Sequence, residues 1–247
     1  GPGNPHPCAP WHGRCETAND NLDIMVSTMD AHRFLQIAPI FEGLGLEALR
    51  GIMASGCFLR AVARGTCLFR EGDPTKELYV LASGRIQIVQ TISTGHRLIL
   101  QFARPGAAFD LATLLARWNG RHTVGACARD DSSVWIASID EFRRHLDAHP
   151  VLLRNVAKIL SGEAEALRER VRDFALLPVE RRIARILLSE YRVSGPEVQA
   201  SHAELAEMGG TTRSTVSRLL GRWRGEGVIE TGRGPARARH GAEMGSL

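Results

Sequence analysis

The segment HAELAEMGGTTRSTVSRLLGR, from His202 to Arg222, has the pattern of two helices crossing at a glycine turn. A small residue in the first helix lets the second pass close over it, a glycine makes the turn, and an apolar residue in the second helix fills the crossing. Ala206, Gly210 and Val216 take these places, with Leu205 and Leu219 as further core positions. Gly209 departs from the pattern, because an apolar residue is usual just before the turn glycine. The second helix, TTRSTVSRLLGR, sets Val216, Leu219 and Leu220 on one face and Arg213, Ser214, Ser217 and Arg218 on the other. Two arginines with short hydroxyl side chains suit the major groove of double-stranded DNA, where arginine bonds guanine O6 and N7 in bidentate fashion. Thr211, Thr212 and the free amides of the first turn can meet phosphate, and Arg222, a turn further on, is expected to do the same.

The charge distribution agrees. The 247 residues carry a net charge of only +4. Between Gly210 and His240, however, seven arginines stand against Glu226 and Glu230, a local excess of +5. Localised basic charge is the footprint of a polyanionic partner, although arginine is also the default cation of a chain whose only lysines are Lys76 and Lys158. With 44% apolar and 23% charged residues, a wholly disordered or collagen-like chain is ruled out. No apolar run of 18 residues occurs, so no membrane span is expected and the cytoplasm is the default location. The irregular spacing of Cys8, Cys15, Cys57, Cys67 and Cys127 argues against a disulfide framework.

Upstream of the two helices the pattern changes twice. Residues 1–28 mix Pro, Gly, Asn and His with little periodicity and read as a disordered tail or a start-site artefact. From Cys57 to about Ile139 the period is two, broken at Gly- or Pro-containing turns, as in an all-β sandwich or barrel. Ile86 and Ile88 lie opposite Arg85 and Gln87; Leu98, Leu100 and Phe102 lie opposite Ile99 and Gln101. From His149 to Phe174 the period becomes helical. Leu153, Leu160, Leu167 and Phe174 stand seven apart with Val156, Ala157, Ala164 and Val171 between them, a seam that predicts a dimer spine. Pro178 then opens another helix with Ile183, Ile186 and Leu187 on its buried face.

The span from Phe34 to His240 resembles the CRP/FNR superfamily of bacterial transcription regulators. The resemblance rests on FREGDP at 69–74, LYVL at 78–81 and SGRI at 83–86, then on PVERRIAR at 178–185 and TVSRLL at 215–220. It implies an α+β chain of four parts: the tail 1–28, a cyclic-nucleotide-binding-like sensor β-roll over 34–145, a dimerisation helix over 149–175, and a winged helix-turn-helix over 176–240. The implied function is sequence-specific regulation of transcription. A homodimer would bind a palindromic operator and contact RNA polymerase, under control of a signal sensed by the roll. The alternative is a cyclic-nucleotide sensor whose main output is not DNA binding. Arg213 and Arg218 stand where family members place base-reading arginines. Ser214 departs from the usual glutamate, and Pro235 with neighbouring alanines makes the wing, Gly232 to His240, irregular.

The effector is less legible. Cyclic AMP binding in this family uses a Gly-Glu-Leu turn and an Arg-Ser pair. The corresponding residues here are Phe109, Asp110 and Leu111, then Arg121, His122 and Thr123. Asp110 can stand for the glutamate, but the arginine–serine pair on the cyclic phosphate is missing. An iron–sulfur cluster needs four closely disposed cysteines; Cys57, Cys67 and Cys127 read better as buried structural residues. Haem needs an axial ligand, and no motif chooses among the histidines; His96 and His122 read as exposed. The recognition helix is most similar to those of nitrogen-oxide and redox-responsive members. No phosphate loop, His-Glu-x-x-His spacing or nucleophile elbow occurs, so an enzyme is not expected, and Glu163 and Glu165 read as solvated helix charges.

Overall fold

The computed structural model describes residues 34–35, 37–91, 96–115, 120–195, 197–231 and 236–238; the expected tail 1–28 lies outside them. The period-two region forms eight strands: β1 (Phe58–Val62), β2 (Cys67–Phe69), β3 (Glu77–Ser83), β4 (Ile86–Thr91), β5 (Arg97–Ala103), β6 (Ala108–Phe109), β7 (Gly125–Ala128) and β8 (Ser132–Ser138). They pair antiparallel into two four-stranded sheets, ordered β1-β8-β3-β6 and β2-β7-β4-β5. Phe69, Tyr79, Leu81, Ile86, Ile88, Val134 and Ile136 fill the space between the sheets, as inward-facing alternate residues of a sandwich must.

Helices cover the outer side of the first sheet. They are α1 (Leu46–Ala54), the short α2 (Ala112–Leu115), α3 (Ile139–Ala148) and the start of the 27-residue α4 (Pro150–Leu176). Around Trp135 they bury Phe41, Ile52, Phe142, Leu152 and Val156, with the Phe41 ring edge-on to Trp135 at 5.6 Å. Ser138 caps α3 by accepting from the Glu141 amide. Buried Asn155 of α4 donates to the carbonyls of Ile40 and Glu42, at 3.1 and 2.8 Å, which seats α4 on the roll.

Cys67 and Cys127 correct the sequence reading of the cysteines. They are register partners on β2 and β7 and are joined by a disulfide across 60 residues of sequence. Spacing along the chain carried no sign of this, because strand pairing and not sequence separation brings the two together.

After Leu177 and Pro178 the chain forms α5 (Val179–Ser194), β9 (Glu197–Val198), α6 (His202–Gly209), α7 (Arg213–Gly225), β10 (Ile229–Thr231) and β11 (Ala236–Ala238). The three strands make a sheet ordered β10-β11-β9. Residues 236–238 hold a strand despite the alanines, because the ladder uses backbone groups and Pro235 stands before it. Ile183, Leu187, Leu205, Val216, Leu220 and Trp223 form a separate core.

Part of the polar face of the second sheet is covered. Arg85 and Gln87 on β4 are buried, at 9% and 8% exposure, because α6 lies against them. Arg85 donates to Asp130 and Gln199, and Gln87 donates to Glu204. Arg129 holds both carboxylate oxygens of Glu204 at 2.6 and 3.2 Å. Ile99, on the face opposite Leu98, Leu100 and Phe102, is fully buried, while those three are half-buried beneath the C-terminal helices; β5 is therefore covered on both faces. Burial alone would raise the Glu204 carboxyl, but hydrogen bonds from Arg129 and Ser201 outweigh it and hold it below its ordinary range.

A carboxyl with a depressed folded-state pKa contributes stability above its unfolded value, and that contribution is lost as pH falls through the folded pKa. Glu204→Gln keeps the helix-capping shape but removes the charge. It should cost about 1–2 kcal/mol at pH 7. The deficit should be full above the ordinary carboxyl range and shrink progressively as the pH is lowered below it; a deficit that stays constant through acid titration would assign the effect to packing.

Candidate nucleic-acid interface

Local chemistry builds the two-helix unit. Ser201 accepts from the Glu204 amide while the Glu204 side chain accepts from the Ser201 amide, a capping box that starts α6. Gly210 ends it in the left-handed conformation, φ 59°, and the Thr211 amide donates back to the Ala206 carbonyl at 3.0 Å. Thr212 caps α7 by accepting from the Thr215 amide. Gly209, the apparent departure from the pattern, has a steric reason. A Cβ there would sit 2.5 Å from Cδ1 of fully buried Ile183. Ala206, Val216, Leu205 and Leu219 are buried where the pattern put them.

The opposite face of α7 is open. Thr212, Arg213, Ser214, Ser217 and Arg218 are exposed, and Thr211 is half-buried in the turn. Arg213 and Arg218 have no ion-pair or hydrogen-bond partner among the described residues. Ser217 Oγ lies 2.8 Å from Nδ1 of His202, and the Thr212 hydroxyl is within hydrogen-bond reach of Ser214 and Thr215. Arg222, expected on phosphate, is exposed and has a protein partner. Its guanidinium is paired with Glu180 on α5, which also accepts from the Trp223 indole N–H at 3.3 Å, and lies 3.8 Å from Glu226. Sequence reasoning missed Glu180 as a partner, since it sits in the block that opens α5, 42 residues away.

The expected dimer seam is only partly free. Leu153, Leu167 and Val171 are 46%, 50% and 68% exposed, whereas Leu160 is half-buried against the roll core. Phe174 leaves the seam. Both the Arg170 and the Arg182 guanidinium lie over its ring, at 5.6 and 4.9 Å, and a Cβ on Gly210 would come within 2.6 Å of it.

The six expected effector residues do not converge on one cavity. Phe109 and Leu111 are core residues. Asp110, at φ 57°, and His122 form a buried pair, so the reading of His122 as exposed is corrected. Its ring stacks on Phe69 with centroids 3.7 Å apart. Arg121 instead donates to the Gly72 carbonyl at 2.6 Å, and Thr123 is exposed. Of the six, only Phe109 lines the 190 Å³ cavity between roll and α4, whose other walls include Gln101, Phe102, Ala107, Ile159 and Glu163. Glu163 is thus no solvated charge. Burial, with nearby Asp110 adding to it and a Gln101 hydrogen bond opposing it, lifts its carboxyl above the ordinary range. Among the described residues no group of three or more His, Cys, Asp or Glu side chains could hold a metal ion.

Two family models match the chain: a cyclic nucleotide-binding domain over residues 59–149 and a Crp-like helix-turn-helix domain over 181–238. The chain is 32% identical to the cyclic AMP receptor protein of Thermus thermophilus, over 83% of this chain and 94% of the relative. It is 25% identical to the anaerobic regulatory protein of Bacillus subtilis over 79% of this chain and 85% of that one. The structure of FixK2 from Bradyrhizobium japonicum superposes with a TM-score of 0.70 at 19% identity, covering 78% of this chain and 97% of that one, a likeness of fold. With both matched domains in the order of the roll and the two-helix unit, and with a relative above 30% identity along nearly its whole length, the chain belongs to the CRP/FNR superfamily of bacterial transcription regulators.

Proposed function

We propose that this regulator binds a palindromic operator as a homodimer and reads each half-site with Arg213 and Arg218. The observation that carries the reading is the outward face of α7, where two exposed guanidiniums without protein partners among the described residues flank short hydroxyl side chains. Ser214 and Ser217 share that face. Thr211, Thr212 and the first amides of α7 supply phosphate contacts, favoured by the positive end of the helix dipole. Arg222 is left out of the phosphate set because Glu180 already answers its charge. A second copy of the chain covers Leu153, Leu167 and Val171, whose separations of fourteen and four residues, two heptads and then one turn, keep them on one seam of the helix. Regulation through RNA polymerase, in the cytoplasm where the DNA is, completes the reading.

The roll supplies the signal. The first relative's name points to cyclic AMP, but among the described residues no guanidinium lines this cavity, and the one charged wall residue among them is the carboxyl of Glu163. Arg121 is spent on the Gly72 carbonyl and His122 on Asp110. A cyclic phosphate there would be desolvated beside a carboxyl with no cation to offset it. This lining supports an effector other than a cyclic nucleotide.

In a randomised-site selection, Arg218→Ala should lose preference at one position in each half-site, worth about 1–3 kcal/mol, with little change in non-specific affinity. Arg222→Ala should return the parental motif and lower the melting temperature instead. A parental motif from Arg218→Ala would overturn the base-reading assignment.

Replacing exposed Leu167 and Val171 together by Asp should give a folded monomer in sedimentation that no longer selects a palindrome. An unchanged dimer would place the interface elsewhere.

Cyclic AMP at millimolar concentration should shift neither melting temperature nor operator affinity. A ligand at one hundred times its Kd would add about 2.7 kcal/mol, well within the reach of a melting assay.

A further inference from the structure

We propose that Arg170, on the spine helix α4, is the positioning residue that sets the direction of the recognition helix relative to the roll and the spine, and through it the half-site spacing a dimer accepts. Its guanidinium donates to the carbonyls of Ile99, at 2.6 Å, and Leu100 on β5, and to the carbonyl of Met208, at 2.8 Å, in the last turn of α6. One side chain thus ties together the sensor sheet, the spine and the first helix of the DNA-binding unit. No carboxylate answers it among the described residues. The negative end of the α6 dipole does so, together with the face of Phe174 one turn along α4.

The other end of α6 is held in a matching way. Arg129, in the turn between β7 and β8, grips Glu204 in the first turn of α6 and donates to the Gln199 carbonyl at 2.6 Å. Both charges complement the α6 dipole, with the carboxylate at its start and the guanidinium at its end, so each clamp favours the docked orientation. Between α4 and α5 the chain has only Leu177 and Pro178 outside the helices, a connection about which the C-terminal unit could otherwise swing. Because α7 is packed across α6 through Ala206 and Val216, fixing both ends of α6 fixes the direction in which Arg213 and Arg218 point. Arg182 provides an internal contrast. It bonds the carbonyls of Gly209 and Leu177, at 3.1 and 3.0 Å, and stacks on the same ring, yet among the described residues it has no bond to the roll.

The inference rests on the palindrome reading above, and the test separates the two. Operators with the selected half-sites would be prepared with the central spacer one and two base pairs shorter and longer, and affinities measured for the full-length protein, Arg170→Gln and Arg182→Gln. The parent should lose about tenfold or more in affinity for each base pair of spacing error, since two half-sites read by a rigid dimer must lie about 34–36 Å apart. Arg170→Gln should lose about threefold or less while binding an isolated half-site like the parent, and Arg182→Gln should keep the steep dependence. A steep dependence in a folded Arg170→Gln protein would overturn the inference. Should Arg170→Gln fail to fold, Arg129→Gln, which releases the opposite end of α6, is expected to flatten the dependence, and a steep one would overturn it equally. A parent that selects no palindrome would instead sink the proposed function, and this inference with it.

Discussion

Two adjacent residues without side chains allow three helices to meet. Gly209 lets fully buried Ile183 of α5 lie against the end of α6, and Gly210, in the left-handed conformation, lets the Phe174 ring of α4 lie against the turn. A Cβ at either place would fall well inside van der Waals contact, and at Gly210 it would also have to adopt a backbone conformation that side chains disfavour. The close approach is what brings the last turn of the spine under the two-helix unit. Arg170, Phe174 and Arg182 can then address the carbonyls that close α6. A bulkier turn would hold α6 away from α4 and leave those groups without partners.

The second constraint is electrostatic. The face of the sheet toward α6 is built from Arg85, Gln87 and Arg97, and the surface of α6 that meets it carries Glu204 and Glu207. Exposed ion pairs contribute little, but Arg129 and Glu204 are largely buried and bonded through both carboxylate oxygens, so removing one partner would strand the other. Such an interface is selective in orientation, because each charge has one geometry in which it is satisfied. It is also separable from the core that folds the two-helix unit, since Ile183, Leu205, Val216 and Trp223 pack among themselves.

Inside the roll the charge pattern is reversed. Asp110 and His122 satisfy each other in the interior, Arg121 is turned to a backbone carbonyl, and Glu163 brings a further carboxyl to the cavity under α4. A fold whose relatives include a cyclic AMP receptor has here an acidic and apolar chamber. The family model covers the roll as a domain, whereas the lining of the cavity is set by individual side chains, which is why the family gives the fold more readily than the effector.

The helical pattern and the strand pattern were both legible in the sequence. The spacing of Ala206, Gly210 and Val216 marked the two helices, alternation marked β4 and β5, and the seven-residue repeat marked α4, because each signal is local and set by helix or strand geometry. What the local pattern could not show is which groups from distant segments meet. Arg213 and Arg218 were separable from Arg222 only once Glu180, remote in sequence, was placed beside α7. His122 looked like an exposed loop residue until β2 and β3 closed over it with Asp110 at its side. Cys67 and Cys127 needed strand register, and Arg85 and Gln87 needed a second domain on their face. The sequence by itself determined the elements, their order and the polar face that α7 turns outward, since periodicity and capping act within a few residues. Tertiary structure alone decided which charges are answered and which stay free, because burial and pairing depend on neighbours that only folding brings within a few ångströms.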